Sequence, residues 1–69
     1  MPTLKELRLK ARLTVNKLSQ EAGVSHETIK RAEKGERVLD VLAYQILETL
    51  NRRLGTNYTL DDIENLKVN

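Results

Sequence analysis

Between Ser25 and Gly35 the sequence reads SHETIKRAEKG, with His26, Glu27, Lys30, Arg31 and Lys34 within nine residues. An imidazole, a carboxylate, two ammonium groups and a guanidinium are good hydrogen-bonding and charge partners, but they contain no nucleophile paired with a base. Placed at about 100° intervals around a helix axis, these five side chains fall within one arc of about 140°. Ser25, Thr28, Ile29 and Ala32 take the opposite side. Such a helix rests on an apolar seat and presents a hydrogen-bonding face. That face suits the major groove of DNA, which admits a helix and shows a distinct donor and acceptor pattern for each base pair. A polar helix face is also what plain solvation produces, so its meaning depends on the elements that hold it.

Those elements read as helices. Thr3 followed by Glu6 has capping-box spacing, and Leu4, Leu7 and Ala11 then form a stripe at i, i+3 and i+7, predicting a first helix to about Arg12. Thr14 caps a second helix with Val15, Leu18 and Ala22 inward and Asn16, Lys17, Gln20 and Glu21 outward, and Gly23 stops it. Ser25 caps the third, which Gly35 ends. Only Gly23 and Val24 separate the second helix from the cap of the third, which forces a sharp turn. Asp40 is a plausible cap for the longest helix, about Val41 to Leu54, with Leu42, Ile46, Leu50 and Leu54 at i+4 spacing and Gly55 as its stop. Thr59 can cap a last short helix, Leu60 to Leu66, whose Asp61 and Asp62 suit the positive end of a helix dipole. The expected fold is all-α, a bundle of five helices.

The stretch Thr14–Gly35, TVNKLSQEAGVSHETIKRAEKG, resembles the helix-turn-helix of the lambdoid phage repressor and Cro family, also called the Xre family. The likeness lies in the joint spacing of Leu18, small Ser19, Gly23 with Val24, Ile29, Ala32, and the Glu33-Lys34-Gly35 ending. Small Ser19 permits close helix approach, Gly23 allows the turn, and Val24, Ile29 and Ala32 wedge the third helix onto the first two. The resemblance extends over nearly the whole chain. It implies a lambda-repressor-like single domain over residues 1–69 with its helix-turn-helix core at 14–35.

It also implies roles. His26, Glu27 and Arg31 occupy positions that read base edges in this family, with Lys30 as a fourth reader. Arg31 could grip guanine O6 and N7, and Glu27 could accept from a cytosine amino group or repel wrong sites. Lys34 and Arg37, past the helix end, are placed for phosphates, and Thr14 and Asn16 could add phosphate hydrogen bonds at the start of the second helix. The family often has Gln where this chain has Val15, which removes one phosphate contact. In similar repressors an Arg of the first helix pairs with a Glu at the end of the third, which here would be Arg8 with Glu33. The expected partner is double-stranded DNA, bound sequence-specifically by a regulator, most simply a repressor. A homodimer would multiply the affinity of so short a reading helix, and Val38 and Leu39 are candidates for its interface or for core. The resemblance implies a bacterial or phage-encoded cytoplasmic protein.

Composition narrows the alternatives. The chain has 69 residues, no Cys, one His and a net charge of +2. One core must suffice at this length, no disulfide or thiolate metal site is possible, and a lone His26 makes a metal or cofactor site improbable. Through Arg37 nine bases face five acids, a surplus of +4, while the remainder carries −2. Such a split fits a nucleic-acid face backed by a structural half. No apolar run is long enough to span a bilayer, so no membrane role is expected, and no small-molecule ligand is evident. With no phosphate-cradling Gly loop and no nucleophile and base pair, catalysis is not expected. RNA recognition is disfavoured because the only aromatics, Tyr44 and Tyr58, lie outside the basic stretch. The competing reading is a protein-interaction or antitoxin-like module on the same fold, with Tyr44, Tyr58 and the acidic end as contacts.

Overall fold

The computed structural model describes residues 1–69. Helix α1 (Leu4–Lys10) starts at a complete capping box: the Thr3 hydroxyl accepts from Glu6 N–H at 3.1 Å and the Glu6 carboxylate accepts from Thr3 N–H at 2.8 Å. It buries Leu4, Leu7 and Arg8. The helix stops earlier than its apolar stripe suggests, because Arg12 turns left-handed at φ 59°. The Arg12 and Leu13 amides then donate back to the Leu9 and Arg8 carbonyls. This closure usually uses glycine, and an arginine there costs roughly 1–2 kcal/mol of backbone strain. The reversal carries Leu13 into the core, where it is buried.

Helix α2 (Val15–Ala22) has Thr14 as its cap, whose hydroxyl accepts from Lys17 N–H at 3.1 Å, and ends at Gly23, φ 71°. Helix α3 (His26–Glu33) follows Ser25, whose hydroxyl accepts from Thr28 N–H at 3.2 Å. The turn between them is tied internally: Ser19 Oγ donates to the Val24 carbonyl at 2.6 Å. Ser19 is therefore more than a small residue. Ser19→Ala leaves that half-buried carbonyl without its partner and should cost about 1 kcal/mol. A thermal melt should show this as a drop of about 4–8 °C for a domain of this size.

Helix α4 (Asp40–Leu54) begins one residue before the position expected from an Asp40 cap: Leu39 is the cap, and Asp40 is the first helical residue, its carboxylate accepting from Val41 N–H at 2.8 Å. An acid in the first turn stabilises the helix from inside it, where it faces free amides. The buried face is also rotated from the Leu42, Ile46, Leu50, Leu54 stripe. Ala43, Ile46, Leu47, Thr49 and Leu50 are buried, while Leu42 and Leu54 are half-buried flanks. Small Ala43, at 0% exposure, lets the neighbouring helices close over α4.

The fifth helix expected over Leu60–Leu66 does not form. Residues Leu60–Asp62 make a single 3-10 turn, closed by Thr59 donating its N–H and hydroxyl to the Asp62 carboxylate at 2.9 and 3.1 Å. Beyond it Ile63 turns into the core, Glu64 N–H donates to the Pro2 carbonyl at 2.8 Å, and Asn65 is left-handed at φ 65°. A strand β2 (Lys67–Val68) then pairs in parallel with β1 (Arg37–Val38). The architecture is thus four helices, one 3-10 turn and a two-stranded pair. The pairing supplies hydrogen-bond partners to backbone that a helix over 60–66 would have left alone. The junction of α4 with this segment is held by Asn51, which accepts from Thr56 Oγ1 and Tyr58 N–H and donates to the Tyr58 carbonyl.

All these elements close on thirteen buried apolar side chains, with Leu7, Leu18, Ile29, Ile46, Leu47 and Leu50 almost wholly enclosed. The Cα trace measures 26 × 23 × 17 Å. No helix is long and apolar enough to cross a membrane.

Candidate nucleic-acid interface

The seat of α3 is apolar and complete. Ile29 is 0% exposed and Ala32 2%, and Val24 from the turn is buried beside them. With that side fixed, the opposite side leaves Glu27, Lys30, Arg31 and Lys34 exposed and His26 half-buried. The helix ends as its sequence suggests, with Gly35 left-handed at φ 83° and the Gly35 and Glu36 amides donating to the Ala32 and Arg31 carbonyls. That backbone conformation favours glycine, and the Asn65 side chain lies close against it, its Oδ1 2.6 Å from where a Cβ on Gly35 would stand. The C-terminal segment therefore packs directly against the end of α3.

Arg31 does not hang free. Its NH2 donates to the Arg37 carbonyl at 3.2 Å and its Nε lies 3.7 Å from Glu36 Oε1, with both side chains more than half exposed. A solvated pair of this kind is worth little, so the side chain is parked and can be redirected at small cost. Arg37 is likewise engaged, NH1 donating to the Val68 carbonyl at 3.2 Å. Its remaining donors are available, because a guanidinium has five N–H groups.

At the start of α2, the Thr14 oxygen is occupied as an acceptor by the Lys17 amide, but its hydroxyl proton is still a donor. Asn16 is exposed in the same turn, and the Val15 and Asn16 amides precede the first capped one. This turn and α3 both border an open cleft lined by Lys5, Arg8, Val15, Lys30, Glu33 and Lys34. The cleft brings Lys30 and Lys34 together with Lys5, a residue that its own sequence context does not mark out.

Beneath the cleft, Arg8 and Glu33 form a two-pronged ion pair: Nε to Oε2 at 2.7 Å and NH2 to Oε1 at 3.2 Å. Arg8 NH1 also donates to the Leu13 carbonyl at 3.1 Å, and the two side chains are 10% and 12% exposed. The pair joins the middle of α1 to the last residue of α3, so it sets how α3 is presented. A second surface lies on α4. Val38 packs in the core and is not free for an interface, whereas Leu39, Val41 and Tyr44 are more than half exposed. Tyr44 has its phenol pKa raised, first by a hydrogen bond with the Glu48 side chain and then by that carboxylate's charge. No three His, Cys, Asp or Glu side chains gather as metal ligands.

A family model described as "Helix-turn-helix domain" matches residues 3–65. No curated protein and no solved structure matches the chain. The matched segment runs from the Thr3 cap of α1 to Asn65, where the C-terminal segment meets Gly35, and so contains every helix of the fold. Families of this kind are typically DNA-binding regulators. The match takes in α2, the short turn that Ser19 ties, and α3, and the chain belongs to the helix-turn-helix domain family.

Proposed function

We propose that this chain binds double-stranded DNA sequence-specifically as a regulator of the lambdoid repressor and Cro type, most simply a bacterial or phage-encoded cytoplasmic repressor. Residues 1–69 act in it as one DNA-binding domain. The observation that carries the reading is the two-sidedness of α3: Ile29 and Ala32 are enclosed, while Glu27, Lys30, Arg31 and Lys34 stand exposed. A helix held on one side only by apolar contacts is free to enter a major groove with the other.

In this reading His26, Glu27 and Arg31 meet base edges, and Lys30 stands beside them on the exposed side of α3. Lys34 and Arg37 hold phosphates beyond the end of α3, and Thr14 and Asn16 hold them at the start of α2. Two copies bind together, and Leu39, Val41 and Tyr44 supply the apolar surface between them. That surface also supports the second reading, contact with a different protein, but such a module has no need of the exposed basic face on α3.

Selection of bound sequences from a pool of random duplexes tests the proposal. The expected product is a short motif with two-fold symmetry and half-sites about 34 Å apart, one turn of the double helix. Recovery of unenriched sequence, with binding that does not weaken as salt rises, would overturn it.

A further inference from the structure

Three of the six residues lining the cleft between α1, α2 and α3 are lysines: Lys5, Lys30 and Lys34. All three are exposed, and none forms an ion pair; the salt bridges of the chain use Arg8, Arg31 and Arg53. The one acid of the cleft, Glu33, is neutralised by its two bonds to Arg8. The cleft is therefore a concave surface with three uncompensated ammonium groups around an apolar floor at Val15. Ammonium groups on flexible stems are compact point charges, which suit a phosphate approached from several directions better than a planar carboxylate. Lys30 lies on α3 and Lys34 caps its C-terminal end, so a duplex seated on that helix brings its sugar-phosphate backbone across the cleft.

We infer that Lys5, Lys30 and Lys34 form a phosphodiester grip beside the reading helix, with Lys5 reaching it from α1 and Lys30 serving the backbone and not a base. The inference rests on the proposed DNA reading. Arg8 is kept from this work by Glu33 and Leu13, so the grip and the ion pair beneath it are separate devices.

The test is a set of duplex titrations over a range of salt with the unsubstituted chain, Lys5→Gln, Lys5→Arg and Lys30→Gln. Removing one phosphate contact should lower the slope of log affinity against log salt by about 0.9. The same slope makes each Gln variant about eightfold weaker than the unsubstituted chain at 0.1 M salt, a difference that vanishes at the 1 M limit. The loss should be equal on a preferred site and on random sequence, Lys5→Arg should restore it, and the bases preferred by Lys30→Gln should be those of the unsubstituted chain. An unchanged slope in Lys5→Gln, or an altered base preference in Lys30→Gln, overturns the grip. Exchanging chloride for inorganic phosphate at equal ionic strength should leave binding unchanged; competition that disappears in Lys5→Gln would mean a site for free phosphate and overturn the assignment to the backbone. Duplex binding absent from the unsubstituted chain would instead overturn the DNA reading itself. Because Lys5 is exposed and outside the core, its variants should melt with the parent.

Discussion

Glu33→Ala should destabilise the chain by about 3–5 kcal/mol, the cost of removing one partner from a buried ion pair. A domain of this length has a total stability on the order of 3–10 kcal/mol, so the variant would be largely unfolded near 37 °C and its melt shifted down by well over about 12 °C. The size follows from what is left behind. Arg8, 8% exposed as a residue, loses both carboxylate bonds and keeps only the Leu13 carbonyl. The charge cannot be shed by releasing a proton either, since a guanidinium stays protonated. The control that isolates this cause is the double variant Arg8→Met with Glu33→Leu. It removes both charges and fills their space, and should recover most of the loss, because apolar replacement of a buried pair is often neutral or better. A Glu33→Ala melt within a few degrees of the parent would show that the pair is solvated and contributes little.

Arg31→Ala should weaken binding to the preferred DNA site by about 1–3 kcal/mol, roughly five- to 150-fold, and relax the preference at one base-pair position. Fold stability should hardly change, because the side chain is exposed and its bonds to Arg37 and Glu36 are at the surface. Those bonds predict the sign of a companion variant. To reach a guanine edge, Arg31 must leave Glu36, so Glu36→Gln should tighten binding slightly while Arg31→Ala loosens it. Fluorescence titration of both against the selected site and a one-base variant measures both effects. An Arg31→Ala protein with the parent's affinity and base preference removes this residue from the reading set.

What the sequence made legible was local. Thr3 with Glu6, Thr14, Ser25, Gly23 and Gly35 act within four residues of their own position, and their caps and turns stand where their spacing puts them. The polar arc of α3 was legible for the same reason, since the helix period alone assigns its faces. Leu60–Leu66 was not, because its outcome is decided by segments about thirty or more residues away. Ile63 is drawn into a core built from other helices, and β2 pairs with Arg37–Val38. Thr59 and the paired aspartates are helix-start signals, but they can stabilise no more than one turn when the next residues find better partners elsewhere. Asn51 is not legible in the sequence, because an amide within a helix has no signature until the loop it clamps is in place. Lys5 shows the same limit at the site. Its place beside Lys30 and Lys34 depends on the angle between α1 and α3, which no spacing within either helix encodes.

The size of the body has a consequence for how the proposed regulator would respond to its own abundance. Two copies on neighbouring half-sites stand about 34 Å apart, while the Cα trace is 26 Å in its longest dimension. Even with that axis laid along the DNA, about 8 Å separates the two backbones, room for a single layer of side chains such as Leu39, Val41 and Tyr44. That spacing is close to the roughly 8–10 Å between packed helices, so the two copies would touch through one layer of side chains. Where copies that are separate in solution meet through this layer only on the duplex, occupancy rises with nearly the square of protein concentration. A chain of 69 residues would turn a modest change in its own level into a steep change in site filling, with the DNA acting as the ruler that makes it so.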